Sequence, residues 1–431
     1  MTLLRLLQRH RDFRLLLFGT VLTNLVMPAQ FMSLAFWSID TYPDNGVLVT
    51  GLMVAFRGVG MLACSLLGGA IADRFERRRV LLCCELLAVT VTALMAGSMI
   101  WMPFGGVTVL AILALVFLSA AIMAIDGPSR SASIPAVVPP AEMGSAIGLS
   151  NVAQQLTFPV VLPVIGILNQ TLGPGQVVAV SLGAWVLIIP IIASLRYSSR
   201  ALVPRAAGAG FIGEIKAGLG YARRDATILA VIAMVVIMQV VGMPGVGMLG
   251  PVWMTEVLGL SRAQFGFVAM LWGVGAVASS VTFVLLAGVP RRGATLAAMV
   301  LLFGACGIVF GHSRVVWVTA VANFGIGFAM AGALVTAMTI IQYTVVEEMR
   351  GRVMGLFPLV MGFSMLAVGP VSYAGQEFSL ERVVPTLEWA ALGLGVVVTL
   401  FAPGLRRVRP AARAAPPLPA ATIPEPVHGG G

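Results

Sequence analysis

The sequence predicts an all-α membrane protein of twelve transmembrane helices arranged as two six-helix bundles. Three observations predict it. The chain is 59% hydrophobic and only 10% charged, with a mean hydropathy of +0.99, which excludes an ordinary soluble domain. At roughly 20 apolar residues per span, its 431 residues have room for about a dozen spans joined by short connections. The second observation is where the arginines fall. They cluster at Arg5 to Arg14, Arg74 to Arg79, Arg196 to Arg224, Arg291 to Arg292, Arg350 to Arg352 and Arg406 to Arg413. With the amino terminus inside, every cluster lies on the cytoplasmic face, leaving Arg262, Arg314 and Arg382 opposite. That asymmetry predicts a multi-pass protein of a bacterial cytoplasmic (inner) membrane with both termini cytoplasmic. The same placement assigns the net charge of +10 to topology and not to nucleic-acid binding. The third observation is one long polar stretch, Arg196 to Asp225, which divides the spans six and six.

Taken in order, residues 1–195 form the first bundle, 196–225 a cytoplasmic linker, 226–404 the second bundle and 405–431 a disordered tail. Asp12 is expected to cap the first span, about Leu15 to Trp37, which Pro28 interrupts. Spans two and three are the apolar runs Val47 to Ile71 and Val80 to Ile100. Span four, about Val107 to Ile125, is closed by Asp126, and a cytoplasmic connection from Ile134 to Glu142 leads into span five, about Met143 to Leu168. Span six is about Val177 to Leu195. A short surface helix is expected near Gly213 to Ala222, before span seven, about Thr227 to Leu249 with Pro244 inside it. Spans eight to twelve begin near Ala263, Ala294, Val315, Val353 and Val383. The tail after Arg406 is too rich in Ala and Pro to bury a core. The halves echo each other: Arg11-Asp12 opens span one and Arg224-Asp225 opens span seven, while Glu142-Met143 and Glu348-Met349 precede spans five and eleven. Such repetition suits a transporter built from two related bundles.

The stretch from Gly69 to Arg79 carries six charges in the seven residues Asp73 to Arg79, so it reads as a tight, water-facing hairpin between spans two and three. Gly69, Asp73, Arg74, Arg77 and Arg78 resemble the signature loop of the major facilitator superfamily, and Glu76 stands where many members carry glycine. Pro128 to Arg130, Ile134 to Glu142, Arg11 to Leu16 and above all Gln342 to Met354 look like the enterobactin-exporter and macrolide-efflux branch. That resemblance implies an exporter that exchanges protons for a siderophore, a macrolide or another amphiphile. The chain departs from the branch in two places. Many members carry an acidic residue in span one near Asn24 to Met27, and here there is none. The glycine run that drug antiporters often have in span five is reduced to Leu162 to Ile167, which keeps Pro163 and Gly166.

Ionisable residues deep in a membrane mark function or a paired structural role. Arg57, about eleven residues into span two, is expected either to face a central cavity or to pair with a carboxylate. Gly69, Asp73, Arg74, Arg77, Arg78, Asp126, Arg130, Arg350 and Arg352 are expected to form a gating charge network on the cytoplasmic side, with Asp73 against the start of span eleven. Glu85 is the proton-coupling candidate, because burial favours the protonated form of a carboxyl group, and Glu388 ranks below it. A substrate cavity near the midplane would draw on Met27, Gln30, Phe31, Arg57, Gln154, Phe158, Gln239, Met243, Asn323 and Phe328. Amides, aromatics and pliable methionines suit an amphiphile better than a sugar. For each single residue, interhelical bonding or core packing is the competing reading.

Enzymatic chemistry has no motif to stand on. Lys216, in Gly213 to Gly218, is not part of a phosphate loop, and His10, His312 and His428 sit at ends or tails. Cys64, Cys83, Cys84 and Cys306 fall inside spans without metal-type spacing. The expectation is a transporter with no cofactor and no metal, monomeric in the bilayer, whose partners are protons and a small amphiphile. A gradient-driven uniporter or importer is the alternative, motivated by the missing acid of span one. A non-transporting sensor or assembly protein on the same scaffold is the reading from another class.

Overall fold

The computed structural model describes residues 3–103, 105–196, 211–285, 292–402 and 405, with backbone alone at 3–5, 66–74, 211, 212, 214 and 284. Among the described residues every regular element is helical. Eleven helices are long and apolar enough to cross a membrane, and a twelfth segment begins at Ala226, bent by 116° from the helix before it. In the first bundle the spans are Arg11–Thr41, Gly46–Arg74, Arg77–Trp101, Gly106–Val137, Met143–Thr171 and Pro174–Ala193. A helix at Phe211–Arg224 precedes span seven. The later spans are Arg262–Leu285, Arg292–His312, Val316–Thr344, Leu356–Phe378 and Leu380–Phe401, with a short helix Glu347–Met354 leading into span eleven. Residues 197–210 of the expected linker and 406–431 of the expected tail lie outside the described residues.

Several boundaries move for physical reasons. Span one runs unbroken through Pro28, whose ring is buried against neighbouring helices that hold the helix together. Asp12 does not cap it. The helix starts one residue earlier, at Arg11, and Asp12 accepts a hydrogen bond from the Arg196 backbone N–H at 3.0 Å. Span two remains helical to Arg74, so the water-facing break shrinks to Phe75 and Glu76. Asp126 does not close span four, which continues to Val137 because its charges are satisfied inside the bundle.

Span seven is the irregular one. Ala226–Val236 is α-helical, capped by Asp225, whose carboxylate accepts from the Thr227 and Ile228 N–H groups at 2.8 and 3.2 Å. The chain then widens into π turns at Ile237–Gly242, Pro244–Met248 and Trp253–Val257, extending beyond the expected end at Leu249. Pro244 and Pro251 lack an N–H, and the glycines between them tolerate the wider turns. A turn with Gly259 at φ +69° then delivers the chain to span eight, a left-handed conformation that glycine adopts without strain.

The bundles meet along two seams, span two against span eleven and span five against span eight. Both seams use small residues. A β-carbon on Gly58 would lie 2.8 Å from Met365 Cβ, and one on Gly273 would lie 2.8 Å from the Pro159 ring. Close approach of this kind lets dispersion hold helices together where lipid offers no hydrophobic driving force.

Candidate functional site

Arg57 enters the membrane about 16 Å along span two, at 1.5 Å per residue. It is buried, and its Nη2 donates to Met27 Sδ of span one at 2.9 Å. Among the described residues no carboxylate pairs with it, so the expected alternative of an ion pair is not met. With Phe31, Thr50, Met53, Val54 and Val116 it lines a narrow cleft between spans one, two and four. A cation withdrawn from water without a partner is costly, and the cleft around it is otherwise largely apolar. The cleft encloses only about 10 Å³ in this arrangement, so it offers a buried charge for an anionic group but no room for the rest of an amphiphile until the helices part.

The other cavity candidates divide. Gln30 does not line a cavity: it is buried, donating to Thr92 Oγ1 at 2.8 Å and accepting from Ser119 at 3.4 Å. Asn323 donates to the Val268 carbonyl at 2.9 Å, and the Gln239 side chain donates to Met361 Sδ at 2.6 Å while the Gln239 backbone carbonyl accepts from Ser364. These amides tie helices together, since an unsatisfied amide in hydrocarbon is costly. Met243 is buried in the core of the second bundle, between two π segments. Phe328 stacks on Phe324 within span ten, ring centroids 6.4 Å apart. Phe158 meets Trp272 across the five–eight seam, 5.8 Å edge to face, and Gln154 is exposed one turn beyond it. The structure thus brings Met27, Phe31 and Arg57 together and leaves Gln154 and Phe158 on the seam.

The expected charge network is also redistributed. Arg130 pairs with both Glu85 and Asp126, its Nε lying 2.6 Å from Asp126 Oδ2. Glu85, the expected proton-coupling candidate, is paired with Arg130, one span away. Arg77 donates to the Ala132 carbonyl at 2.6 Å and Arg78 to the Ala193 carbonyl, tying the start of span three to spans four and six. The helix carrying Arg350 and Arg352 packs on the helix Phe211–Arg224 instead of meeting the Arg130 group. The side chains of Gly69, Asp73 and Arg74 lie outside the described residues. Among the described residues no group of three His, Cys, Asp or Glu side chains could hold a metal ion.

Sequence reasoning missed the seal between the bundles. At the face opposite the arginine clusters, Arg262 at the start of span eight pairs with Asp40 at the end of span one. Arg262 also donates to the Asn169 carbonyl at 3.1 Å and covers the Phe36 ring at 5.3 Å. Phe36 meets Phe265 edge to face at 5.5 Å, and Gln376 donates to the Asp44 carbonyl. Toward the arginine-rich face the seam is looser: Asn151, Val152, Gln154, Gln155 and Leu156 of span five are exposed, with Ala153 between them half-buried. The only signal for the seal was opposite charge at Asp40 and Arg262, 222 residues apart. Arg262→Ala is expected to shift the balance away from the sealed arrangement by a factor of about 1.4 to 5, since a half-exposed pair contributes roughly 0.2–1 kcal/mol. Distances between spin labels at Thr41 and Ser261 would read it, and an unchanged distribution would reject the seal.

Two helical bundles sealed at one face, looser at the other and holding a buried cation have the architecture of a membrane transport protein. The chain belongs to the major facilitator superfamily, whose model matches residues 15–370. It is 20% identical over 402 residues, 91% of each chain, to the uncharacterized MFS-type transporter YkuC of Bacillus subtilis (strain 168). Among solved structures it is similar to the nucleoside transporter NupG, with TM-score 0.73 and 10% identity over 92% of this chain and 100% of that one. It is also similar to a peptide transporter POT in complex with sulfate, with TM-score 0.70 and 14% identity over 93% and 96%. At those identities the likeness is one of fold.

Proposed function

We propose that this chain exports an amphiphilic small molecule bearing an anionic group, such as a siderophore, in exchange for protons. It works by alternating access, from a bacterial inner membrane with the arginine-rich face in the cytoplasm. The observation that carries the reading is Arg57, buried without a carboxylate partner beside Met27 and Phe31. A carboxylate or catecholate would answer its charge while the apolar walls take the remainder. The looser seam toward the arginine-rich face is where an export substrate would enter, and the branch resemblance of Gln342 to Met354 agrees with that direction.

The test is efflux from preloaded, efflux-deficient cells of a macrolide, a catecholate siderophore and a lipophilic dye, with and without a protonophore. Arg57→Ala is expected to cut siderophore export at least about tenfold, since losing one partner of a desolvated charge pair costs on the order of 2–5 kcal/mol. Arg57→Lys should retain part of it. Unchanged export by Arg57→Ala at normal expression would reject the substrate class. A uniporter or importer, suggested by the lack of an acid at Asn24 to Met27, predicts net movement that a protonophore leaves unchanged.

A further inference from the structure

Glu388 lies about 12 Å into span twelve from the sealed face, at 1.5 Å per residue. It is fully buried, and among the described residues neither carboxylate oxygen has a hydrogen-bond partner. Gly307 clears the space it occupies, and two further glycines border it. A β-carbon on Gly307 of span nine would overlap the carboxylate, one on Gly242 would sit 3.4 Å from Oε2, and one on Gly245 3.6 Å from Oε1. Gly242 and Gly245 belong to the π turns of span seven. The acid is thus cradled against the least regular backbone of the protein, where widened turns mark segments able to rewind.

Charges on the packed elements do not answer it. Arg292 and His312 stand at the two ends of span nine, and Glu256 and Glu377 lie near the sealed-face ends of spans seven and eleven. Arg314 is occupied by Glu381 at 3.1 Å. Cys306, next to Gly307, turns its sulfur toward Gly325 of span ten. An isolated carboxylate is too costly to bury charged, so a group placed here must take up a proton or gain a partner.

We propose that Glu388 is the proton-binding group of the transport cycle, shielded in the present state and opened to the sealed-face water by movement of the π turns of span seven. The inference rests on the proton-exchange reading and gives it a residue. Glu85 and Asp126 both pair with Arg130, whereas Glu388 has no charged partner among the described residues.

Dicyclohexylcarbodiimide, which adds to protonated carboxyl groups in apolar surroundings, tests it on the purified full chain without any substrate. The acid gives up its proton to a carbodiimide nitrogen and its oxygen bonds to the central carbon, so the adduct forms with no leaving group. Mass spectrometry is expected to find the adduct on the peptide containing Glu388 and not on Glu85 or Asp126. Its rate should fall as pH is raised, and the adduct should vanish in Glu388→Gln, which mimics the protonated side chain. In cells, Glu388→Gln is expected to lose the response of export to a protonophore while Glu388→Asp keeps part of it. Absence of the adduct from folded protein, or a rate independent of pH, would overturn the assignment. So would Glu388→Gln export that still follows the proton gradient. A wild type whose transport ignores the gradient refutes proton exchange itself and with it the coupling role; the labelling arm then still decides whether Glu388 binds a proton.

Discussion

Arg130→Ala is expected to remove most of the folded protein from the membrane. Arg130 is 8% exposed and bridges two carboxylates, Glu85 at 1% and Asp126 at 4%. Removing the cation leaves two acids facing each other in a core of Leu81, Cys84 and Ile122. Breaking a buried pair in this way costs on the order of 3–5 kcal/mol, a large part of the stability of an ordinary domain. A methionine of similar length would restore packing but not charge, so Arg130→Met should fail nearly as badly. The informative variant combines Glu85→Gln, Asp126→Asn and Arg130→Met, which removes the charges together. It should recover most of the loss, because the cost lies in the uncompensated acids and not in the absence of an ion pair. Size-exclusion profiles of solubilised protein, with thermal unfolding of each variant, would measure this. An Arg130→Ala protein as monodisperse as wild type would show that the trio does not hold the first bundle together.

Gly266→Val is expected to abolish transport by preventing closure of the sealed face. A β-carbon on Gly266 would lie 2.7 Å from the Leu162 carbonyl oxygen and 3.0 Å from Pro163 Cα, both backbone atoms that cannot turn aside. Gly166 faces the same contact from span five, 2.5 Å from the Arg262 carbonyl oxygen by the same construction. Only helix separation relieves the overlap, and separation draws Arg262 from Asp40 and Phe265 from Phe36. Overpacking costs of about 1–3 kcal/mol, laid on the sealed state alone, shift a two-state balance roughly five- to 150-fold. A cysteine replacing Phe36 should therefore react faster with a membrane-impermeant maleimide in the Gly266→Val background. Gly266→Ala should show the same effect more weakly. Equal reactivity and unchanged export would mean that the five–eight seam tolerates the added bulk and does not gate the face.

The spans were legible because each is long and apolar and ends at charge or at a glycine- and proline-bearing turn, and these are local properties. Errors gathered where a neighbour satisfies a group that local reasoning leaves exposed. Asp126 read as the end of span four because an acid in hydrocarbon should stop a helix, but Arg130 one turn later and Glu85 on the next span keep it inside. Pro28 read as an interruption because the neighbours that hold span one together are not visible in its own sequence. Gln30, Gln239 and Asn323 looked like cavity residues because polarity at mid-depth has two uses, and only their partners, Thr92, Met361 and Val268, distinguish them. Glu388 ranked below Glu85 since both lie a similar distance into a span. In the fold, one meets an arginine and the other three glycines.

Apolar length and arginine placement need no partner to act, so they set the number of spans and the expected side of the loops from the linear chain, while the motif from Gly69 to Arg78 carried the resemblance to the family. Burial without compensation is a property of pairs. It depends on which residues meet across helices that are tens or hundreds of positions apart, and the tertiary structure alone decides it. That is why Arg57 and Arg130, both arginines inside spans, come to opposite ends: Arg130 is neutralised by two acids and holds one bundle together, while Arg57 is left with a thioether and a cleft.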